Sequence, residues 1–299
     1  MVTTTGNWQD ALEPIARKNF QLGFREKPAE RDMIFDVPSR KAKLIETYLE
    51  LGDIGSMGSL TGDVEYETIE QGYKMTIEQN EMAKGIKIQR KFAETDQLDV
   101  VEGLPKLLGL AARRKMASDT FALFNNAFNT TITTIDALQL CSTAHTSNQS
   151  GISTTQSNKG TSAASAANLE AARRAMKVFM TNKDQLFEVN PDMIICPRAL
   201  EETFYEIIKS SGKVDTANNN TNFHKGKYKL LVSDWLDDSN NWFVVDSELM
   251  KMFNVWNNVV PLEFGQAKDF DGFTAKYAAY MFYGFGTRDW RWVYGNEVS

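Results

Sequence analysis

Two cysteines and two histidines are the residues best suited to chemistry in this chain: Cys141, His145, Cys196 and His224. Cys141 and His145 lie four apart, a spacing open to a thiol nucleophile activated by an imidazole. The same four residues are the natural ligands for zinc, which takes three or four donors, usually in closely spaced pairs. His224 sits far along the chain in a polar stretch, so convergence of all four would be accidental, and no metal site is expected. The Cys–His pair runs into a polar loop with no evident orienting carboxylate. His145 is therefore expected to fix a turn through hydrogen bonds, and no catalytic or cofactor-binding residue is assigned. There is no Gly-x-Ser-x-Gly elbow, no His-Glu-x-x-His helix and no Walker loop. Carboxylates are numerous but scattered. The aromatic stretch Trp290, Trp292 and Tyr294, with Arg288 and Arg291, has the residue types of a base-stacking platform. It also has those of a core and a protein–protein contact, which is the reading adopted.

The composition narrows the field. The 299 residues are 42% hydrophobic and 24% charged, enough for a sizeable core in one large domain or two lobes. A formal net charge of −6 excludes a protein that coats nucleic acid by charge. Two isolated cysteines fit a reducing compartment rather than a disulfide framework. Met1 to Trp8 lacks a basic region followed by an apolar run, so no secretory signal is expected. No stretch approaches the roughly 18 apolar residues of a membrane span.

The elements that must position these residues follow from periodicity. Residues 1–50 are charge-rich and read as an arm, with helices expected from Asn7 to Phe20 and Ser39 to Leu51. Gly52, Gly55, Gly58 and Gly62 then make a flexible joint. Val64–Thr68, Tyr73–Ile77 and Ile86–Ile88 alternate apolar with polar residues, which predicts two long strands joined near Asn80–Glu81 in a hairpin ribbon. A two-stranded ribbon is marginal alone and must lie on its own body or on a neighbour. Residues 99–128 predict one helix, about 37 Å long from Leu104 to Phe128, with an inward stripe through Leu107, Leu110, Arg114, Ala117, Phe121, Phe124 and Phe128. Asp99 and Glu102 suggest a capping box, and Pro105 a kink or a start after Gly103. Residues 146–168 read as a polar surface loop, after which Asn168 caps a helix. Strands are expected at Met193–Cys196, Tyr228–Ser233, Trp242–Asp246, Met250–Val260 and Thr274–Tyr294, with a helix after Pro197 and an Asn-rich loop at 210–227.

The order of these parts resembles the major capsid proteins of tailed bacteriophages, the α+β fold named for phage Hong Kong 97, and is particularly similar to the group related to the major head subunit of phage Mu. The residues that carry the resemblance are Gln71-Gly72-Tyr73, Leu104-Pro105-Lys106 and Asn125-Asn126-Ala127-Phe128. Cys141-Ser142-Thr143-Ala144-His145, Ser157-Asn158 and Asn219 to Asn222 follow. Trp235-Leu236-Asp237-Asp238, Trp242-Phe243, Gly284-Phe285-Gly286, Asp289-Trp290-Arg291 and Tyr294-Gly295 complete them.

The resemblance implies an N-terminal arm (1–51), an extended loop laid over an adjacent subunit (52–97), a peripheral domain (98–134 and 268–299) and an axial domain (135–267). It implies a virion protein, assembled in the host cytoplasm into pentamers and hexamers that close an icosahedral shell around double-stranded DNA, which it does not bind sequence-specifically. Expected partners are other copies of the chain, a scaffold protein, a portal and a decoration protein. No long scaffolding segment precedes the arm, which implies a separate scaffold or a prosequence already cut. The hinges expected for shell expansion are Gly52, Gly55, Gly58, Gly62 and Pro105. The inter-subunit contacts expected are Tyr66, Tyr73, Ile77, Ile86, Arg288, Trp290 and Arg291. No covalent crosslink is expected. The alternatives are an encapsulin-like compartment, a tail or minor structural protein, and a soluble hydrolase using Cys141 and His145.

Overall fold

The computed structural model describes residues 8–25, 30–55, 57, 59, 62, 64, 66, 68–95, 98–212, 221–269 and 273–299. In chain order the helices and strands are α1 (Trp8–Phe24), α2 (Arg31–Ile34), β1 (Ile45–Leu51), β2 (Gln71–Glu78), β3 (Asn80–Gln89), α3 (Arg90–Glu94) and α4 (Leu98–Asn125). Three two-residue strands follow, β4 (His145–Thr146), β5 (Thr155–Gln156) and β6 (Lys159–Gly160), then α5 (Ala166–Met176), β7 (Met193–Pro197) and α6 (Glu201–Lys209). The last are β8 (Lys229–Ser233), β9 (Trp242–Val245), α7 (Ser247–Phe253), β10 (Asn254–Asp269), β11 (Thr274–Thr287) and β12 (Val293–Asn296). None of the described helices is long and apolar enough to cross a membrane.

Two sheets organise the molecule. β3, β11 and β10 form an antiparallel sheet with β11 in the centre. Helix α4 lies against it, and α1 packs on α4. Ala16 and Phe20 of α1 are buried with Ile88, Leu108, Ala275, Tyr277 and Ala279, so α1 is docked rather than a free arm. The second sheet has the order β6-β12-β9-β7-β8, with parallel pairs at both edges and antiparallel pairs in the middle. β7 and β9 read as unbroken apolar runs because both of their faces are covered. Phe204, Trp242, Phe243 and Trp292 fill this core.

Several expectations are corrected. β2 and β3 do not form a hairpin with each other. β2 pairs with β1, and Gln79 hands the chain over to β3, which pairs with β11. The hairpin is thus one strand earlier, with residues 52–70 as its connection. Ile45–Leu51 is a strand, not the end of a helix, so a strand does precede the glycines. The long helix starts at Leu98 and runs through Pro105, with Asp99 inside it rather than at its cap. Its buried face takes in Leu108, Ala112, Met116, Ala117, Thr120, Phe121, Leu123 and Phe124, so Ala117 and Phe121 lie inward as expected while Leu107 and Arg114 are exposed. Ser165, not Asn168, caps α5, its side chain accepting from the Asn168 amide. Met250–Phe253 is helical, and Thr274–Tyr294 divides into β11 and β12. The stretch 146–168 is not wholly a surface loop, since Asn158 is fully buried.

Candidate assembly interface

Among the described residues, the β1–β2 hairpin and its connection carry a dense set of exposed apolar side chains. Leu44, Ile45, Leu49, Ile54, Val64 and Ile69 are all at least half exposed, Tyr66 is 91% exposed and Met57 fully so. Scattered exposed apolar residues are ordinary on a monomer, whereas a cluster of them on one element is not.

The root of this hairpin is fastened to the rest of the chain by side chains. Glu50 of β1 accepts from the Asn182 Nδ2 amide at 2.5 Å through one oxygen and from the Tyr73 amide at 3.1 Å through the other. Asn182 in turn accepts from Arg291 Nη2 at 2.7 Å. Gly72 leaves the space Glu50 needs: a Cβ there would lie 2.7 Å from a Glu50 carboxylate oxygen. The Tyr73 hydroxyl donates to the Thr146 carbonyl, Glu70 accepts from the Ser150 amide, and Tyr48 donates to Asn257. Gly284 and Gly286 serve the same end on β11, where added Cβ atoms would strike Gln79 and Ile77.

Behind the root lies a buried polar cluster. His145 Nδ1 is 2.6 Å from Asp136 Oδ2, and its Nε2 is 3.1 Å from Asn158 Oδ1. The Asn158 amide nitrogen faces the carbonyls of Leu140, Trp290 and Val293, while its oxygen accepts from the Ser142 amide. That arrangement fixes which end of Asn158 is oxygen, so both ring nitrogens of His145 face acceptors. The imidazole stacks on Trp290 at 4.2 Å with 5° between the planes, and Arg291 lies over the other ring of this pair at 4.8 Å from the Trp290 centroid. Burial is the largest single influence on Asp136 and acts to raise it. Hydrogen bonding and charge attraction from His145, with bonds from Thr134 and the Leu138 amide, together outweigh it and hold the carboxyl below its ordinary range.

This geometry removes the nucleophile reading of Cys141 and His145. Both ring nitrogens are engaged elsewhere, Cys141 is fully buried, and burial pushes its thiol well above the usual range. Burial also pushes the Cys196 thiol up to about 12. His224 packs against Phe223 and Tyr228, and burial lowers its pKa. Among the described residues no group of three His, Cys, Asp or Glu is placed to hold a metal ion.

The expected contact residues divide. Tyr66 is exposed and Tyr73 half-buried on the hairpin, and Ile86 is half-buried beside the α1–α4 packing. Ile77, Trp290 and Arg291 are buried within the chain. Arg291 spends its donors on Met180, Asp289 and Asn182. Arg288 donates to the Met252 carbonyl and lies over the Tyr48 ring. Among the hinge candidates, Gly52 is tied to Glu70 by a backbone hydrogen bond, Gly62 has a φ of +145° that favours glycine, and Pro105 is buried inside α4. Gly55 is described outside any helix or strand, and Gly58 lies outside the described residues. Asp136 and Asn158 escaped the sequence reading of the site. The only signal was the presence of Ser157-Asn158 among the short motifs.

The family model for phage capsid protein matches residues 73–296. No curated protein matches the chain. Among solved structures, the procapsid of bacteriophage JBD30 is similar with a TM-score of 0.56 at 16% identity, covering 98% of this chain and 75% of that one. The mature capsid of bacteriophage PhiM1 gives 0.60 at 12% identity, covering 91% and 88%. The capsid of Ralstonia phage GP4 gives 0.57 at 12%, covering 90% and 88%. At these identities the likeness shows the fold, an α+β chain of the Hong Kong 97 type. The family match spans well over half of the sequence and takes in both sheets, α4 and the histidine cluster, and with it the chain belongs to the phage capsid protein family.

Proposed function

We propose that this chain is the shell-building subunit of a tailed bacteriophage head, forming pentamers and hexamers that close around double-stranded DNA. The observation that carries the reading is the β1–β2 hairpin. It projects exposed apolar residues that its own chain does not cover, and a neighbouring copy is the partner that can cover them at every position of a closed shell.

The division of labour follows strand pairing. Residues 45–78 act as the extended loop. The sheet β3–β11–β10 with α1 and α4 acts as the peripheral domain, and the five-stranded sheet with α5 and α6 as the axial domain. β10 pairs with β11 from Asn254 onward, which supports a boundary between the two before β10 in place of one at 268. Gly52, Gly55, Gly58, Gly62 and Pro105 remain the hinges proposed for shell expansion, and Tyr66, Tyr73 and Ile86 the inter-subunit contacts. A scaffold and a portal are proposed partners. A decoration protein is another, in line with the minor capsid protein trimers on the JBD30 capsid. Assembly would take place in the host cytoplasm, and no catalytic step is assigned.

Electron microscopy with sedimentation of the purified chain tests this reading. Closed shells, or capsomers that convert to shells when a scaffold is supplied, are expected. A chain that stays monomeric with scaffold and across a range of salt would overturn it.

A further inference from the structure

A second feature has a lining that shares no residue with the hairpin. A cavity of about 290 Å³ opens where the C-terminal end of α5 meets the segments before β7 and β8. Its wall includes three cations from two distant parts of the sequence: Arg173, Lys177 and Lys227. In a chain of net charge −6, such a convergence needs a reason.

The nearby carboxylates do not supply one. Glu170 is committed to Arg173, at 2.7 and 2.8 Å, and to Arg174 at 2.9 Å. Asp192 also lines the cavity, but it accepts from the Ser247 amide and hydroxyl at 2.7 Å each and meets Lys229 at 3.4 Å. Among the described residues neither Lys177 nor Lys227 has a carboxylate within ion-pair distance. Lys177 donates to the Val189 carbonyl, and Lys227 sits over the Phe223 ring. Both remain exposed, with donors to spare.

The inner wall adds a neutral donor. Tyr228 is 7% exposed, and its hydroxyl meets no hydrogen-bond partner. A buried hydroxyl left without an acceptor is costly, and a bound ion is one of the ordinary explanations. Burial pushes its pKa up to about 12, so it stays a donor. The hydroxyl is closed to solvent, so an anion reaches it only after side chains at the cavity shift. The two exposed lysines have the freedom to do so.

We propose that this cavity binds a phosphate-sized oxyanion, held by Lys177 and Lys227 with Arg173 behind them and with the Tyr228 hydroxyl as the innermost donor. Its size suits a small ligand. The phosphoryl oxygen chemistry is the same whether the group is free phosphate or part of a DNA backbone.

The test compares thermal unfolding of the full chain in inorganic phosphate and in chloride of matched ionic strength. It uses the unaltered chain, K177Q/K227Q, Y228F, and K84Q/K251Q as a control for charge removed elsewhere. Phosphate also stabilises proteins non-specifically, so the difference between variants is the readout. A saturable rise is expected in the unaltered chain and in K84Q/K251Q. In K177Q/K227Q the apparent affinity should fall by roughly tenfold or more. Y228F should fold at least as well as the unaltered chain and lose part of the phosphate response. A labelled 12-mer of deoxythymidine separates the sources. Binding that phosphate displaces, and that is lost in K177Q/K227Q, identifies DNA backbone. A phosphate response without oligonucleotide binding identifies a free anion. Equal phosphate response in the unaltered chain and K177Q/K227Q overturns the proposal, as does a response that chloride reproduces.

Discussion

His145 and Asp136 meet at 2.6 Å inside the chain, with side chains that are 0% and 4% exposed, and both ring nitrogens of the histidine face oxygen acceptors. A buried pair of this kind contributes little net stability compared with an apolar substitute, but removing one partner strands the other. His145→Ala should therefore destabilise the unassembled subunit by about 3 kcal/mol or more in urea unfolding. The pH dependence has a defined sign. The Asp136 carboxyl is held low in the folded state, so its contribution is fully present above the unfolded carboxylate range near ~3.9 and is lost as pH falls through the folded value. The stability difference between the unaltered chain and Asp136→Asn should narrow over that acid window. A difference that stayed constant from neutral pH down to acid unfolding would remove the ion pair from the account.

The hairpin makes the opposite prediction. Met57 and Tyr66 touch little within their own chain, so Met57→Asp with Tyr66→Asp should leave subunit stability within about 0.5 kcal/mol. Shell formation should fail, or need at least about tenfold more protein, because each charge would have to be buried at a subunit contact. Thermal unfolding of the subunit and light scattering during assembly read the two effects separately. Normal shells from this variant would remove the hairpin from the interface.

Much of this was legible in the sequence where one physical rule dominates. The run Met193–Cys196 is short, apolar and bounded by Pro197, and it is β7. Phe204 and Ile207 point inward as the spacing of α6 requires. Sequence reasoning failed where tertiary pairing decides. Leu44, Ile45, Tyr48 and Leu49 fit a helical stripe, yet pairing with β2 makes the segment a strand. On α4 the later part of the expected stripe, Ala117 and Phe121, is buried, but at its start Leu108 lies inward in place of Leu107, because the two are equivalent by composition and only the sheet beneath selects Leu108. The polar cluster was least legible. Asp136 reaches His145 through a turn with Ala137 at a φ of +62°, and no spacing rule announces that conformation in an alanine.

Glu50 offers a test of how the hairpin is held. Its carboxylate satisfies both the Asn182 side chain and the Tyr73 amide. Glu50→Ala leaves those donors without an acceptor, at a cost of about 1–3 kcal/mol. The loss should be local. Hydrogen exchange should quicken in β1 and β2, while amides of β7 and β9 keep their protection. Equal acceleration in both regions would mean that Glu50 supports the whole subunit rather than the loop root.

The seam between α1 and α4 is set by two glycines. A Cβ on Gly109 would lie 2.2 Å from the Phe20 carbonyl oxygen, and one on Gly23 would lie 2.2 Å from that of Lys106. Both obstacles are backbone, so neither clash can be relieved by a side-chain rotation. Gly109→Ala gains about 1 kcal/mol of helix propensity. Overpacking typically costs about 1–3 kcal/mol, and a contact this short belongs at the upper end of that range. The net expectation is a loss of about 1–2 kcal/mol, with α1 displaced and the cluster of Phe20, Leu108 and Ala279 opened. Gly103 on the same helix is the internal control, since its Cβ would meet nothing within 4 Å. Gly103→Ala should stabilise by up to about 1 kcal/mol, close to the propensity gain alone. Opposite signs for the two alanines in urea unfolding would confirm that close backbone approach, not helix flexibility, is what Gly109 provides. A stabilising Gly109→Ala would mean that the two helices can separate at little cost, and that α1 is held by its side chains alone.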